Sequence, residues 1–511
     1  MTTATPTSRA STRSAWTAAA LVAAVCILAT FTLSAPNRAD ELGLNTSNNP
    51  SDNGGLDPTT VTTLASGTPG MPGPETGPGG PQPGTDPKDP IRRVGDKVYD
   101  CSKGQNAGAT EVGVSATEIR FAATVVTSGP AKGFLAEAQV AMEAVRNKVN
   151  RAGGICGRQL KIDYKDDGWD TSTGQRYIES FIGDNKYFGL AVNPSSEGLR
   201  GAIDSGLIKN NKFPVIGSDG MLIDQYTDPW VWPIATSTAS VMHVMAANAA
   251  QRGAKTVGIV WDKKYRFGVE GHAAFVGAAK RLGLTVSADV GIDGGQGDFG
   301  NDAERFMSDC GGTSFSKCDF VAMLLEPAAA SSWVLRNGGL GDGKTHPRVG
   351  VGVPQPLFVN SFARDCKGYC ANMWAWTSFN PPIPPFDDLP AVATYRSDLA
   401  NQSSTADASN PHVQGAYVGM QLLVKALEIL GPNPTREGMK KVLDSMNGPN
   451  AFQSGMAPPI SFAPGNHYGN IGAQAFEDIV SGSDANATFA NWRYTNSGFL
   501  LDKEVGKDVV G

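Results

Sequence analysis

The segment GGLGDGKT, from Gly338 to Thr345, fits the pattern G-x-x-x-x-G-K-[ST], which forms the phosphate-binding loop of many nucleotide hydrolases. Such a loop must follow a strand and begin a helix, because the helix N-terminus supplies the amides that face the phosphate. In this chain the preceding PAAASSWVLRN predicts a helix, and the following THPRVGVGV contains Pro347 and predicts a strand. The order is the reverse of the required one, so we interpret the glycines as a helix end and a turn.

No other segment predicts catalysis. The chain contains no G-x-S-x-G nucleophile motif, no G-x-G-x-x-G after the first predicted core strand, and no H-E-x-x-H spacing among its five histidines. Asp166 and Asp167 are adjacent in YKDDGWD, but consecutive side chains project differently, and we expect this pair to end a strand in a solvated turn. The sequence therefore predicts no enzyme, no metal site and no cofactor. The net charge of −6 also gives no indication of nucleic-acid binding, which normally requires a basic surface.

Cysteine spacing predicts disulfides. Of seven cysteines, Cys26 lies in an uncharged N-terminal segment, and the other six form an even set that favours disulfides outside the cytoplasm. Loop-closure entropy and local geometry favour near neighbours, although the connectivity stays open. The predicted pairs are Cys310–Cys318, Cys366–Cys370 and, as the remainder, Cys101–Cys156. A C-x3-C metal site is the alternative for the second pair, but no histidine or further cysteine pair lies nearby.

The segment AWTAAALVAAVCILATFTLSA, residues 15–35, contains no charged residue. As a helix it would be roughly 30 Å long, the thickness of a bilayer core. Arg9 and Arg13 precede it, and positive residues favour the cytoplasmic side of a membrane. We therefore predict a cytoplasmic N-terminus of residues 1–14, a transmembrane anchor over 15–35 and an extracytoplasmic remainder. A cleaved signal peptide and lipid attachment at Cys26 are the alternatives.

Residues 36–107 form a predicted linker. The stretch GTPGMPGPETGPGGPQPGTDP is dense in Pro and Gly and has almost no apolar side chains. Burial of these side chains could not offset the entropy lost on ordering the chain. We therefore predict a disordered tether that holds the folded part away from the membrane.

From about Gly108, short β-rich runs alternate with helical patterns. IRFAATV precedes a predicted helix over 133–151, and QLKIDY, YFGLAV and FPVIG follow. A second series contains KTVGIVW, LTVSADV, DFVAMLL and RVGVGV, with helical patterns near 268–282 and 327–337, and a later amphipathic helix covers 413–427. This alternation predicts an α/β fold with two doubly wound parallel-sheet lobes, which place ligands at the carboxyl ends of their strands.

Five segments carry a family resemblance, in this order: GVSATEIRFAATVVTSGPAKGF, NRAGGICGRQLKIDYKDDGWD, KTVGIVWDKKYRFGVEG, VQGAYVGMQLLVKALEILGPNPTREGMKKVL and PPISFAPGNHYGN. Together they resemble the branched-chain-amino-acid-type substrate-binding proteins of ABC transporters, which are leucine-binding-protein-like and have the type I periplasmic-binding-protein fold. The resemblance runs from about Gly108 to the C-terminus. It implies two lobes joined by three crossover strands, with a ligand bound between the lobes.

The resemblance also implies where the chain passes between the lobes. The crossings are expected near Pro233–Ser237, Asn372–Phe379 and Gly455–Ser461. Lobe 1 would then comprise residues 108–234 and 376–455, and lobe 2 residues 235–375 and 456–511.

The family's ligand contacts in lobe 1 are helix N-termini and short hydroxyl side chains, which hold a carboxylate. The matching residues lie in TSGPAKG, NPSSEG and IGSDG and are Thr127, Ser128, Ser195, Ser196, Ser218 and Asp219. The two serines of NPSSEG would equally serve as helix N-caps without any ligand. The carboxylate in IGSDG departs from the small neutral residues usual there and would repel a ligand carboxylate. An amide, an amine or a polyol would suit it better.

In lobe 2 the resemblance implies an aromatic cover and an acceptor for an α-amino group. Phe267, with Tyr265 two residues earlier, matches the aromatic position, and Glu326 in LLEPAAA matches the acidic one. The alternatives are that Phe267 packs beneath a helix start and that Glu326 stabilises the helix that follows it.

The function predicted from these observations is that of an extracytoplasmic solute-binding protein, anchored to the membrane, that delivers a small polar solute to an ABC permease. The solute would be an amino acid, an amide or a similar molecule, bound by hinge closure. One alternative is a membrane-tethered ligand-sensing domain of the same fold, and a more distant one is an extracellular hydrolase.

Overall fold

The structure is a computed structural model of the 511-residue chain. It describes the backbone of residues 91–94 and 97–100, and residues 107–296, 298–336, 345–359, 362, 365–366, 373–478 and 492–507. The predicted anchor over 15–35, together with Cys26, Cys101 and Cys370, lies outside the described residues. Among the described residues, no helix is both long and apolar enough to cross a membrane.

Strands and helices alternate along most of the chain. The strands are β1 (Ile91–Val94), β2 (Lys97–Asp100), β3 (Glu118–Val125), β4 (Gln159–Asp166), β5 (Leu190–Ala191), β6 (Val215–Ser218), β7 (Val231–Pro233), β8 (Thr256–Asp262), β9 (Thr285–Ile292), β10 (Phe320–Leu324), β11 (Gly350–Val353), β12 (Met373–Thr377), β13 (Gly472–Asp478), β14 (Trp492–Tyr494) and β15 (Leu500–Leu501). The helices are α1 (Lys132–Leu135), α2 (Ala138–Arg151), α3 (Thr171–Gly183), α4 (Ser196–Asp204), α5 (Leu207–Asn210), α6 (Asp224–Thr227), α7 (Thr238–Gln251), α8 (Arg266–Arg281), α9 (Gly300–Asp309), α10 (Pro327–Arg336), α11 (Pro390–Gln402), α12 (Pro411–Leu430) and α13 (Arg436–Asp444).

A two-stranded antiparallel hairpin, β1 with β2, lies within the region predicted to be a disordered linker. The structure therefore differs from the predicted disordered linker at residues 91–94 and 97–100. The physical reason is local: Gly95 and Asp96, both common in turns, separate two short runs that contain β-branched and aromatic residues.

Lobe 1 is built on a five-stranded sheet with the order β4-β3-β5-β6-β7, and all of its pairings are parallel. The long helix α12 covers this sheet. It approaches so closely that a Cβ on Gly217 would lie 2.5 Å from the Cα of Gly419. Gly217 also has a φ of 80°, so glycine is required there both by space and by conformation.

Lobe 2 contains a larger sheet with the order β14-β13-β12-β11-β10-β8-β9, and β15 pairs with β13. The strands from β12 to β9 pair in parallel, whereas β13 is antiparallel to its three partners. The predicted α/β architecture of two doubly wound parallel-sheet lobes is thus confirmed, with an antiparallel edge added to lobe 2. The helix α10 precedes β11, so the chain around GGLGDGKT runs from helix to strand, as the sequence indicates.

Three connections join the lobes, at residues 234–237, 378–389 and 463–471. The first overlaps the segment Pro233–Ser237 that the resemblance implies. The third lies later than the expected Gly455–Ser461, because Met456, Ile460 and Phe462 are buried in the core of lobe 1. The second connection also lies later than expected. The strand β12 belongs wholly to the sheet of lobe 2, so the second segment of lobe 1 begins after β12 and not at residue 376.

The disulfide between Cys310 and Cys318 is confirmed. It links the end of α9 to the segment before β10, and both cysteines are fully buried. Cys156 and Cys366 are also disulfide-bonded. The residues predicted to pair with them lie outside the described part of the chain, so those two pairings stay predictions.

Candidate functional site

The two lobes meet along a closed interface at the carboxyl ends of their strands. The ring of Trp169 in lobe 1 lies 4.4 Å from the ring of Tyr265 and 5.8 Å from that of Phe267 in lobe 2, measured between centroids. Seven more apolar residues of lobe 1 are buried in the core of lobe 2, namely Val126, Ala131, Phe134, Leu135, Met221, Leu222 and Ile223. The structure is therefore in a closed conformation, with aromatic side chains between the lobes.

Trp169 has an uncommon, left-handed backbone conformation. It follows β4, has a φ of 63° and is 2% exposed. Its amide donates a hydrogen bond of 2.8 Å to Oδ1 of Asp167. Val192, at the end of β5, also has a positive φ, of 44°, which is unfavourable for a β-branched residue. Such strained residues concentrate at functional sites, because the surrounding structure must enforce them.

Asp167 is a buried carboxylate at the start of α4. The hydroxyl of Ser195 donates to its Oδ1 at 2.8 Å and accepts a hydrogen bond from the amide of Gly198. Burial raises the pKa of Asp167 to about 6, although hydrogen bonds from Trp169 and Ser195 oppose the shift. The prediction that Asp166 and Asp167 lie in a solvated turn is therefore wrong for Asp167, which packs against the first turn of α4.

Asp166 is hydrogen-bonded to TSGPAKG, the first segment predicted to contact a ligand. It accepts a hydrogen bond of 3.0 Å from the amide of Thr127. Burial opposes ionisation, but hydrogen bonds from Thr127, Ser128 and Gly168 together lower the pKa of Asp166 to about 2. Thr127 is partly buried and Ser128 is exposed, so both lie at the edge of the interface between the lobes.

The carboxylate of Asp219 lies at the N-terminus of α4. It accepts hydrogen bonds from the amide of Ser196 at 3.2 Å and from Nε2 of Gln225 at 2.8 Å. Burial raises the pKa of Asp219 to about 6. Ser218 beside it is fully buried, and its hydroxyl has no hydrogen-bond partner among the described residues. The structure thus brings three of the predicted residues together at one helix end.

The predicted residues of lobe 2 also cluster, but Glu326 and Phe267 make contacts that stabilise the fold itself. Glu326 accepts hydrogen bonds from the amides of Ala328 and Ala329, at 2.8 and 2.5 Å, and so caps the start of α10. Phe267 is 1% exposed and belongs to the core of lobe 2. Tyr265 is partly exposed between the lobes, and burial followed by the charges of nearby carboxylates raises its pKa to about 12.

A polar latch joins the lobes outside the aromatic contact. The amide of Arg266 in lobe 2 donates to Oε1 of Glu197 in lobe 1 at 2.9 Å, and the Arg266 guanidinium reaches Asp204 of lobe 1 at 3.3 Å. In the other direction, Oε2 of Glu270 in lobe 2 accepts from the amide of Ile223 in lobe 1 at 3.0 Å. These hydrogen bonds exist only while the lobes are closed.

Asp224 lies beside this latch and is buried, with neither carboxylate oxygen bonded among the described residues. Burial raises its pKa to about 7, the nearby charge of Glu270 raises it further, and that of Arg266 opposes the shift. The closed interface therefore holds a proton on Asp224 more tightly than water would.

One small cavity lies between the lobes among the described residues. This cavity of about 10 Å³, at most the space that a single water needs, lies next to the connections between the lobes. Asp219, Gln355, Phe379 and His412 contribute to its wall. Burial lowers the pKa of His412 to about 3, so its imidazole is neutral, and Nε2 has no hydrogen-bond partner in the described structure. Admission of a solute requires the lobes to separate.

A larger cavity, of about 480 Å³, lies elsewhere, between α7, α8 and residues 499–504 of lobe 2. Its walls are mainly apolar, and His243 at its base is hydrogen-bonded to Asp502. None of the residues predicted as ligand contacts lines this cavity, whereas Asp219 lines the small cavity beside the connections between the lobes. We therefore place the candidate site in the cleft.

Sequence analysis missed four residues of the cleft: Asp167, Trp169, Gln355 and His412. A signal existed for the first two, since DDGW directly follows a predicted strand at the carboxyl edge of the sheet. Gln355 and His412 come from distant parts of the chain, and no local pattern marks them. No group of acidic, histidine or cysteine side chains within the described part of the chain could hold a metal ion. The cleft presents hydrogen-bonding and aromatic groups suited to binding.

Comparison with known proteins agrees with this geometry. The model of the family described as periplasmic binding protein matches residues 118–473, so the chain belongs to that family. This confirms the resemblance drawn from the sequence. A comparison with curated protein sequences gives no match.

Solved structures show the same fold at low sequence identity. A branched-chain amino acid ABC transporter protein from Thermus thermophilus with bound valine is 16% identical, with a TM-score of 0.62 over 74% of this chain and 96% of that one. An ABC transporter substrate-binding protein from Aeropyrum pernix is 17% identical, with a TM-score of 0.61 over 77% and 98%. A fatty acid ABC transporter substrate-binding protein from Thermomonospora curvata is 16% identical, with a TM-score of 0.60 over 78% and 95%. The first and the third of these proteins are named for different solutes, so the shared fold does not identify the solute of this chain.

Proposed function

We propose that this protein is an extracytoplasmic solute-binding protein that captures a small polar solute between its lobes for import by an ABC transporter. The observation that carries the proposal is the contact between Trp169 and Tyr265, which belong to different lobes and touch only in the closed conformation. Three connections join the lobes, an arrangement that permits rotation about a hinge.

Hinge opening separates the two aromatic rings and the latch of Arg266 and Glu270, and exposes the polar groups of both cleft walls. A solute that hydrogen-bonds to both walls binds the closed form better than the open form. It therefore shifts the population toward closure by its difference in affinity for the two states. Binding in this scheme is non-covalent and uses no cofactor. An ABC permease would recognise the closed form.

The N-terminal sequence supports a location at the outer face of a membrane. In our proposal residues 15–35 anchor the chain, and the Pro/Gly-rich stretch that follows tethers the two lobes within reach of a permease. Membership of the periplasmic binding protein family agrees with an extracytoplasmic position.

The proposal is tested by solute screening of the full chain. Thermal unfolding with a panel of amino acids, amides, sugars and polyols should identify a solute that raises the unfolding temperature and is recovered unchanged. Deletion of the gene should then abolish cellular uptake of that solute. Chemical turnover of the solute by the protein, or uptake that does not change on deletion, would contradict the proposal.

A further inference from the structure

Four carboxylates flank the aromatic contact, and the charge of Lys264 partly stabilises the ionised form of one of them, Asp262. Asp167 and Asp219 lie on the side of lobe 1, and Asp262 and Glu326 on the side of lobe 2. Three of them are at most 4% exposed, and Asp219 is partly buried. Within the described residues, no lysine, arginine or histidine side chain forms an ion pair with any of the four.

The three aromatic rings between the lobes add a second, independent feature. The faces of Trp, Tyr and Phe rings attract cations. The ring of Tyr265 already does so in this structure, since the ammonium group of Lys264 lies 5.2 Å from its centroid. The indole Nε1 of Trp169 is buried and has no hydrogen-bond partner among the described residues, so it is available to an oxygen atom of a solute.

The helix end that would attract an anion is already occupied. The amide of Gly198 donates to the hydroxyl of Ser195, and the amide of Ser196 donates to Asp219. A carboxylate group on a solute would have to displace the Asp219 carboxylate or lie beside it. Either arrangement is unfavourable, because like charges repel in a poorly hydrated cleft.

We infer that the cleft selects a small solute that carries a cationic nitrogen and no carboxylate. The aromatic rings of both lobes enclose the cationic group on closure, and the carboxylates of Asp167, Asp219, Asp262 and Glu326 balance its charge. This inference rests on the proposed capture of a solute between the lobes and names its chemical class.

The test is calorimetric titration of the full chain at about pH 7, where an α-amino group is mainly protonated, with two matched pairs of probes. L-leucinamide and L-leucine differ in the carboxylate. Choline and 3,3-dimethylbutan-1-ol differ in the positive charge at equal shape. We expect L-leucinamide and choline each to bind at least about tenfold more tightly than the matched probe, a difference of about 1.4 kcal/mol.

Equal or tighter binding of L-leucine or of the neutral alcohol overturns the inference, as does the failure of both cations to bind at millimolar concentration. The failures of the two proposals are distinguishable. If the cations do not bind but another member of the polar-solute panel closes the lobes, the solute class is wrong and the proposed function stands. If no solute closes the lobes, the proposed function fails as well.

A variant pair locates the effect. Asp219→Asn removes the charge and keeps an oxygen that can accept from the Ser196 amide, so it should reduce the preference for L-leucinamide over L-leucine roughly tenfold. Asp228→Asn is the control, because Asp228 is also a buried aspartate but accepts from the amide of Trp230 outside the cleft. An unchanged preference in the Asp219 variant contradicts the assigned role of this residue.

Discussion

The rings of Trp169 and Tyr265 lie 4.4 Å apart, centroid to centroid, although they belong to different lobes. Trp169 holds its position through a left-handed backbone conformation after β4, and Tyr265 directly precedes α8. The distance between the two rings therefore indicates whether the lobes are closed, since opening of the hinge must separate the rings.

Trp169→Ala should weaken solute binding by roughly tenfold to a hundredfold, because it removes the largest ring of lobe 1 from the contact. Isothermal titration with the best solute of the panel measures the change. Trp261→Ala is a matched control, since Trp261 stacks on His272, 4.1 Å between centroids, away from the contact between the lobes. Equal losses in the two variants would show that the Trp169 effect is not specific to the cleft.

The stability of the closed structure should depend on pH through Asp224. Its pKa in the closed structure, about 7, lies above the ordinary value of 3.8. The stabilisation that accompanies its protonation is therefore complete below about pH 4 and is lost as the pH rises through about 7. Each unit of pKa shift corresponds to about 1.36 kcal/mol, so the full loss is at most roughly 4 kcal/mol.

Asp224→Asn should remove this part of the pH dependence and make the variant more stable than the unmodified protein at about pH 8, but not at about pH 4. Thermal unfolding across this range measures the effect. Asp167 and Asp219, whose pKa values are also raised, should leave a residual slope of the same sign. The control is Asp184→Asn, at an exposed aspartate paired with Lys186. Parallel pH profiles for the Asp224 variant and the unmodified protein would contradict the assignment.

Phe267→Ala should destabilise the fold by about 3–5 kcal/mol, because the ring is buried in the core of lobe 2. Urea unfolding monitored by circular dichroism gives the value. Phe267→Leu, which fills most of the space, should cost less than about 1.5 kcal/mol. If Phe267→Ala unfolds at the same urea concentration as the unmodified protein, the ring contributes to solute contact alone and not to the core.

Replacement of both Cys310 and Cys318 by serine should lower the free energy of unfolding by about 2–3 kcal/mol, the value expected for a short closed loop. The loss arises mainly because the unfolded chain regains conformational freedom. Denaturant unfolding of the double variant, compared with the unmodified protein under oxidising conditions, provides the measurement. An unchanged unfolding midpoint would show that this disulfide does not stabilise lobe 2.

The sequence predicts the layers of this fold well, because hydrophobic alternation and helical periodicity are local properties. Strands such as β3 and β8, and the helix α12, fall where the pattern places them. The third connection between the lobes was displaced, since Met456 and Ile460 lie in an irregular segment whose burial in lobe 1 depends on tertiary packing.

The cleft was predictable only in part. Asp219 stands out in the sequence as an unusual charge, and in the structure its carboxylate accepts a hydrogen bond at the start of α4. Trp169 is marked in the sequence only by its position after a strand, since its left-handed conformation has no sequence pattern, and His412 reaches the cleft from a helix far along the chain. Glu326 illustrates the opposite problem, a residue that the sequence marks but whose role stays ambiguous. A carboxylate before a helix caps that helix whether or not a solute is present.

The central claim, that two lobes open and close around a solute, is tested most directly by a distance measured across the cleft. Spin labels at two exposed positions, Arg176 in lobe 1 and Lys263 in lobe 2, allow pulsed electron paramagnetic resonance on the full chain. We predict a broad distribution that includes longer distances without solute, and a single short distance when the best solute of the panel is added. One narrow distance that is the same with and without every solute of the panel would contradict the account.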